Sequence, residues 1–226
     1  MLQSMGEGIW VLDQPMRMPG GIEIGTRSAV VRLADGGLLL HCPGPLSEEQ
    51  RGEVRALGPV QEILAPNAFH HLFLEEAVEH FPDARVHAVA SLHAKYPDLP
   101  LQPLGGEPDP AWQGVLEQQV IAGAPRMDEV VCFHPESRTL LLVDLCFNMR
   151  RFGNRRTEWF MRLAGAHGRF GPSRLARSMI RDRAAVRASL DRVLEWDFDQ
   201  VVVTHGERLE RGGRDALREA FGFLRA

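Results

Sequence analysis

The sequence predicts an α/β (α+β) chain folded as a four-layer αββα sandwich, in which two β-sheets pack face to face and helices cover their outer sides. Two observations predict this architecture. Strand patterns lie both before and after helical patterns, in two similar halves of the chain. Tight turns also join several short apolar runs as in β-hairpins, which argues against the alternative of a doubly wound parallel sheet.

Five strands are predicted in the first half of the chain, each as a short apolar run bounded by turn residues or charges. Their spans are 9–12, 28–33, 38–41, 60–65 and 85–90. Asp35-Gly36-Gly37 separates the second run from the third, which is typical of a hairpin turn. Pro66 ends the fourth run.

Four stretches have apolar residues at helical spacing. They cover residues 47–57, 70–80, 148–195 and 215–224. Ser47, with Gln50 three residues later, forms a capping-box pattern that marks the start of the first helix. The third stretch is long and basic, and we interpret it as a helical insertion in a single domain spanning residues 1–226.

The second half of the chain contains four more strand patterns. They cover residues 115–121, 129–133, 139–145 and 200–204. A polar, proline-rich loop at 96–110 separates them from the first half. Neither of the common glycine-rich nucleotide-binding fingerprints is present in the sequence.

Composition and charge disfavour several classes of function. The formal net charge is −4, so the chain as a whole has no electrostatic attraction for nucleic acid or a membrane. No apolar stretch approaches the ~20 residues needed to span a bilayer, and residues 1–7 lack the features of a secretory signal. We therefore expect a cytoplasmic protein. Cys42, Cys132 and Cys146 are expected to be reduced core residues.

Polar residues follow three of the apolar strand runs, where functional sites are commonly built. The first group is Pro66-Asn67-Ala68-Phe69-His70-His71, the second is Asp144, and the third is His205. Asp144 is the strongest single indication, because a carboxylate within the run LLLVDLCF is costly to bury unless it is paired or metal-bound. Three imidazoles and one carboxylate are a competent ligand set for a divalent transition metal.

The order of elements resembles that of the metallo-β-lactamase superfamily, in which a strand ends in the motif T-H-x-H-x-D-H. Residues 65–71, A-P-N-A-F-H-H, align with this motif. His71 matches its last histidine, and His70 falls at its aspartate. Pro66 and Ala68 replace its first two histidines, and no histidine lies at 123–127, where the middle one is expected. Asp144 and His205 match the bridging aspartate and the final histidine of the superfamily.

The resemblance implies that the first of two metal positions is lost and the second kept. His70, His71, Asp144 and His205 would then hold one divalent metal, with zinc favoured and iron or manganese as alternatives. The chain is similar to a branch of the superfamily that has an N-x-x-H-H motif and no assigned activity. The fold expected from it is the αββα sandwich of the metallo-β-lactamase type.

Several other residues are expected to lie around this site. His41 ends a strand where the superfamily usually has an aspartate. It is therefore expected to contact the metal ligands and position them, without binding the metal itself. Asn67, Arg150 and Arg151 are candidates for supporting the ligands or contacting substrate. The His70-His71 pair also has a structural interpretation, as a helix start hydrogen-bonded to loop carbonyls.

The segment from Arg150 to Arg192 contains twelve arginines against three acidic residues, a net charge of +9. One interpretation is a solvated helical face. The other is a basic lid over the site that attracts an anionic group such as phosphate or carboxylate. The aromatic residues of the segment fit helix packing better than a nucleic-acid platform.

Three functions remain open on the sequence. The first is a mononuclear metal-dependent hydrolase that activates water against an ester, thioester, lactone or phosphoester. The second is an inactive binding or scaffold domain whose metal, if any, is structural. The third is a redox role for an iron-loaded site.

Overall fold

A computed structural model describes residues 1–224 of the protein and contains two large β-sheets. The strands of the first sheet are β1 (Leu2–Gly6), β2 (Ile9–Gln14), β5 (Thr26–Arg32), β6 (Leu38–His41), β7 (Val60–Ala65), β8 (Arg85–Ala88) and β9 (Gln102–Pro103). They are hydrogen-bonded in that order. Neighbours are antiparallel from β1 to β6 and parallel from β6 to β9. Between β2 and β5, β3 (Arg17–Met18) and β4 (Ile22–Glu23) form a separate small hairpin.

The second sheet has four strands. They are β10 (Glu117–Val120), β11 (Val130–His134), β12 (Thr139–Leu142) and β15 (Gln200–Val203). The first three pair antiparallel in order, and β15 joins β12 in parallel. Because β12 and β15 are parallel, their carboxyl ends lie at the same edge of the sheet. Between β12 and β15 along the chain, β13 (Phe147–Asn148) and β14 (Phe170–Gly171) form a further small antiparallel pair.

Seven α-helices connect these strands within residues 1–224. They are α1 (Glu48–Leu57), α2 (Leu74–His80), α3 (Ala90–His93), α4 (Arg155–Ala164), α5 (Arg174–Ser178), α6 (Arg183–Val193) and α7 (Gly213–Ala220). A short 3-10 helix, Gly222–Leu224, follows α7. The chain therefore alternates between strands and helices in both halves.

The two faces of the second sheet belong to different apolar clusters, which defines the layers. Cys132, Leu141 and Val202 belong to one apolar cluster with residues of the first sheet, and the same cluster extends to α1 and α2. The alternate residues of the same strands, such as Leu140 and Leu142, pack with α6 and α7. Since side chains alternate across a strand, this division produces two facing sheets with helices outside. The αββα sandwich predicted from the sequence is confirmed.

Local sequence signals explain several of the element boundaries. The predicted hairpin is formed by β5 and β6, and Asp35 closes its turn by accepting a hydrogen bond from the N–H of Gly37. Ser47 and Gln50 form the predicted reciprocal capping box at the start of α1. The three cysteines are free and buried, as expected.

Two helix predictions differ from the structure. The helix expected over 70–80 begins only at Leu74, because Asn67 holds residues 67–70 in a turn. The stretch expected to be helical over 148–195 is three separate helices, α4 to α6, interrupted by β14. Among the helices of residues 1–224, none combines the length and the apolar character that crossing a membrane requires.

Candidate metal centre

Three side chains from distant parts of the sequence converge where strands of the two sheets end. Ligand-capable atoms of His70, Asp144 and His205 all lie within 4.8 Å of one another. His70 Nε2 is 3.1 Å from His205 Nε2 and 3.4 Å from Asp144 Oδ2, and His205 Nε2 is 3.8 Å from Asp144 Oδ1. The three residues follow β7, β12 and β15 respectively. Two imidazoles and a carboxylate are suitable ligands for zinc and related metals.

A buried carboxylate shapes the turn that carries Asp144. Glu129, whose side chain is fully buried, accepts hydrogen bonds from the backbone N–H groups of Val143 (2.9 Å), Asp144 (2.8 Å) and Leu145 (2.9 Å). Burial and the nearby Asp144 raise the pKa of Glu129 to about 7, although its N–H donors favour the charged form. Three consecutive N–H groups directed at one carboxylate bend the chain just after β12, and this bend presents Asp144 to the histidines.

Asn67 connects the turn after β7 to the same carboxylates. Its Oδ1 accepts hydrogen bonds from the N–H groups of Phe69 (3.0 Å) and His70 (2.8 Å). Its Nδ2 donates to Asp144 Oδ2 (2.7 Å) and Glu129 Oε2 (3.3 Å). Asn67 therefore shapes the backbone that carries His70 and also orients the carboxylate of Asp144.

His205 is fixed in orientation and in tautomer. Its Nδ1 donates a hydrogen bond to the carbonyl of Gly25 at 2.7 Å. Its ring stacks on Phe147, with centroids 5.3 Å apart and planes 13° apart. The Nε2 atom that faces His70 and Asp144 therefore carries a lone pair. A backbone carbonyl behind the ring is a common partner of metal-binding histidines.

The three converging groups are electrostatically coupled. Burial lowers the pKa of His70, but the neighbouring Cys42 and Asp144 outweigh burial and raise it well above the usual value. Burial raises the pKa of Asp144, but the nearby His70 and His205 outweigh burial and lower it to about 2. Burial and the charge of His70 lower the pKa of His205 to about 4. These directions describe a protonated His70, an ionised Asp144 and a neutral His205.

His71, the fourth expected ligand, lies outside this cluster. Its Nδ1 is 2.8 Å from the Tyr96 hydroxyl, and its Nε2 is 2.6 Å from the Lys95 ammonium. Burial and the charge of Lys95 lower the pKa of His71. Both ring nitrogens are thus engaged elsewhere, because adjacent residues of this turn direct their side chains to different sides. The structure brings three of the four expected ligands together and leaves the fourth apart.

His41 and Cys42 lie behind the cluster, at the end of β6. His41 is 3% exposed, and its Nε2 has no hydrogen-bond partner among the described residues. Burial and the charge of His70 lower the pKa of His41 to about 3. The Sγ atom of Cys42 is 3.8 Å from Thr204 Oγ1, next to His205 in sequence. The structure therefore places His41 near His70 without a direct hydrogen bond to it.

A cavity of about 280 Å³ adjoins the cluster, and His70, Asp144 and His205 form part of its wall. Apart from Ser173, the rest of the wall is apolar, and most of it comes from the segment 147–179. The apolar wall residues are Met16, Met18, Ile24, Phe69, Met127, Phe147, Phe160, Met161, Ala164, Ala166, Leu175, Ala176 and Met179. A molecule that reaches the cluster through this cavity meets an apolar surface.

Arg150 and Arg151 do not line this cavity. Arg150 Nε donates to Asn148 Oδ1 at 2.9 Å, and the side chain of Arg151 is 93% exposed and lies 4.0 Å from Glu207. Within residues 1–224, no arginine belongs to the cavity wall. The helices of the basic segment face the cavity with methionine, leucine, alanine and phenylalanine, so the arginines expected to attract an anionic group are not part of this wall.

Sequence reasoning missed Glu129 and the methionines of the cavity. For Glu129 a signal was present, since an acidic residue at the start of an apolar strand run has to find hydrogen-bond donors when buried. For the methionines there was none. They come from five separate positions along the chain, and only the tertiary fold brings them together.

Comparison with known families and structures identifies the relatives of this chain. The model of the family described as "Domain of unknown function (DUF4336)" matches residues 6–153. No curated protein sequence matches the chain. The chain is similar to the metal-soaked Flv1 flavodiiron core from Synechocystis sp. PCC6803, at 14% identity and a TM-score of 0.69. That similarity covers 100% of this chain, which spans only 60% of the Flv1 chain.

Metallo-β-lactamases are similar over nearly their whole length. The enzyme from Pontibacter korlensis matches at 16% identity and a TM-score of 0.66, covering 100% of this chain and 98% of its own. FIM-1 from Pseudomonas aeruginosa, described in its mono-zinc form, matches at 14% identity and a TM-score of 0.60, covering 99% and 92%. At these identities the similarity establishes the metallo-β-lactamase fold and nothing finer.

Proposed function

The chain belongs to this family of unknown function and has the metallo-β-lactamase fold, and from this premise we propose that it is a metal-dependent hydrolase with a single metal. One observation carries the proposal. The convergent atoms of His70, Asp144 and His205 lie in the wall of a cavity large enough for part of a small molecule. Chemistry at these atoms therefore has access to a substrate.

The three residues fit a metal in ways that go beyond their spacing. The hydrogen bond from His205 Nδ1 to Gly25 leaves Nε2 free to coordinate. Asn67 orients the carboxylate of Asp144 with a 2.7 Å hydrogen bond. Catalytic zinc sites commonly have three protein ligands and an open position, whereas structural sites are closed by four. The separation of His71 from the cluster supports the catalytic type.

His70, Asp144 and His205 would hold the metal, and a bound divalent metal would supply an acidified water and a Lewis acid for a substrate oxygen. The surrounding residues position this centre. Asn67 orients the carboxylate of Asp144, Glu129 holds the backbone N–H of Asp144, and the adjoining cavity wall is largely apolar. The similar structures include both a flavodiiron core and a mono-zinc enzyme, which supports zinc and iron as candidates, and manganese suits the same kind of ligands.

A second candidate function is an inactive binding domain. The observation that favours it is the direct contact between the His70 and His205 Nε2 atoms at 3.1 Å, together with the ion pair of His70 and Asp144. These contacts satisfy the buried polar atoms through hydrogen bonds within the protein. In that case the cluster is structural, and the cavity binds a ligand without converting it.

Metal content separates the two candidates. We expect about one metal per chain, by mass spectrometry, in untagged protein, and its loss in Asp144→Ala and His205→Ala. His71→Ala is the matched control and should keep its metal, because both His71 ring nitrogens are engaged elsewhere. Protein that stays metal-free after incubation with zinc, iron or manganese would overturn the hydrolase proposal and leave the binding domain.

A further inference from the structure

The composition of the cavity wall next to the metal centre is unusual. Five of the eight methionines of the chain line it, with three phenylalanines, Phe69, Phe147 and Phe160. Methionine is flexible and polarisable, so a methionine-rich surface adapts to apolar groups of different shapes. The wall therefore suits a flexible apolar group rather than one rigid shape.

Charge argues against an anionic group in the same place. Apart from His70, Asp144 and His205, the described wall contains no ionisable side chain, and Ser173 is its only other polar side chain. Away from these three residues, a carboxylate or phosphate would lose its hydration without gaining a cationic partner, which is costly. The substrate portion that lies against this apolar part of the wall is therefore uncharged.

The cavity also has an open, apolar rim. Leu175 is 64% exposed, Phe69 is 44% exposed and Met18 is 37% exposed, and all three belong to the wall. Large apolar side chains at a cavity mouth leave apolar surface exposed to water, which is unfavourable unless a ligand covers it. Such exposed patches often mark binding sites. The rim indicates the direction from which an apolar chain would enter.

From this cavity we propose that the substrate is an ester or thioester with an aliphatic acyl group, and that the acyl chain lies among the methionines with its carbonyl at His70, Asp144 and His205. This inference rests on the proposed function. The reaction balances with water alone. A bond forms between the water oxygen and the acyl carbon, the bond from that carbon to the alcohol oxygen or thiol sulfur breaks, and the leaving group takes a proton. The products are a fatty acid and an alcohol or thiol.

A binding experiment tests the cavity independently of metal and catalysis. With ¹³C-methyl-labelled methionine, addition of decanamide, an uncharged alkyl amide, should shift the methyl signals of Met16, Met18, Met127, Met161 and Met179. Met1 and Met5 are internal references and should not move, because neither lines the cavity. Equal shifts with acetamide, or shifts at the reference residues alone, would overturn the proposal even if the protein proves to be a metal-dependent hydrolase.

Chain-length dependence tests the same assignment in the metal-loaded protein. From acetyl to octanoyl p-nitrophenyl esters, kcat/KM should rise up to about fourfold per methylene, which corresponds to the ~0.8 kcal/mol of a buried CH₂. A flat profile would contradict the acyl assignment. Failure of all esters, with decanamide still bound, would instead overturn the proposed function and leave an apolar binding site.

Two leucine variants on exposed positions provide a matched comparison. Leu175→Glu places a charge on the cavity rim and should lower kcat/KM for the octanoyl ester about tenfold or more, and for the acetyl ester by a smaller factor. Leu163 is 50% exposed and does not line the cavity, so Leu163→Glu should leave both esters unchanged. Equal effects of the two substitutions would overturn the acyl-cavity assignment.

Discussion

Glu129 shapes this site although it does not line the adjoining cavity. Its carboxylate is enclosed by donors, with three backbone N–H groups and the amide of Asn67 directed at two oxygens. A buried acceptor in such a position is costly to leave unsatisfied, and so are its donors. The turn after β12 therefore depends on the side chain of the residue that immediately precedes β11.

Glu129→Gln keeps the shape of the side chain and removes one acceptor. The new amide N–H group must face one of the existing donors, so we expect the free energy of unfolding to fall by about 1–3 kcal/mol. Urea unfolding followed by fluorescence measures this change. Glu136→Gln is the control, because Glu136 is exposed, and it should stay within about 0.5 kcal/mol of the parent. Equal stability of the two variants would contradict the role of Glu129.

Asn67→Asp tests the hydrogen bonds that the side-chain amide of Asn67 donates, while keeping those that it accepts. The aspartate keeps an acceptor for the N–H groups of Phe69 and His70, but it replaces the donor to Asp144 with a like charge. A loss of about 2 kcal/mol or more is expected in thermal or urea unfolding, because a buried hydrogen bond becomes a repulsion. Asn154→Asp at the start of α4 is the matched control, since Asp is an equally good N-cap residue. An Asn67→Asp variant as stable as this control would contradict the contact.

At this scale the sequence predicted the position of some site residues and not their contacts. Asp144 and His205 were found because each follows an apolar strand run, which is visible in one sequence. His70 and His71 could not be separated, since neighbouring residues share the same pattern. The turn made by Asn67 directs only His70 towards Asp144. The backbone donors around Glu129 come from residues 14 to 16 positions away, and Asn67 lies 62 positions away, so none of them leaves a local pattern.

The loop after β15 is an element whose conformation depends on one glycine. Gly206 has φ +97°, and a Cβ atom there would collide with the carbonyl group of Asn148, which bridges to Gly206 in parallel. Asn148 N–H also donates to the carbonyl of His205 at 3.1 Å. The close approach of these two segments holds His205 over Phe147.

Gly206→Ala should destabilise the protein by about 2 kcal/mol or more, because a positive φ costs about 1–2 kcal/mol for a residue with a side chain and the collision adds to it. Metal binding should weaken as well, since His205 is displaced. Gly52→Ala is a control that is expected to change the stability in the opposite direction. Gly52 lies within α1 with open space around it, and alanine there should stabilise by about 0.5–1 kcal/mol. Thermal unfolding of both variants measures the difference, and destabilisation by both would contradict the argument.

Element predictions succeeded where the determinants are local. The β5–β6 hairpin and the α1 capping box depend on residues a few positions apart, and both are confirmed. The stretch 148–195 was expected to be helical throughout because its apolar spacing is helical. Its break at β14 comes from pairing with β13, more than twenty residues earlier in the chain, which spacing within a segment does not reveal.

The order of the layers in the whole molecule follows from the way side chains alternate between the two faces of the second sheet. Leu141 and Val202 face the first sheet, whereas Leu140 and Val201 face α6 and α7. Strand patterns alone predicted two packed sheets, but not that β15 pairs with β12 in parallel across almost sixty intervening residues. That pairing aligns the ends of β12 and β15, so it places Asp144 beside His205.

Because the three proposed ligands come from strands of both sheets, a bound metal would link the sheets and favour the folded chain. At a free zinc concentration of 100 times its dissociation constant, the free energy of unfolding should rise by about 2.7 kcal/mol. Urea unfolding with zinc and with a chelator measures the increment. His71→Ala should keep it, since His71 lies outside the cluster, whereas His205→Ala should lose it whatever its own stability. An equal increment in His205→Ala would mean that zinc binds elsewhere, and the convergence of the strand ends would then have a structural role alone.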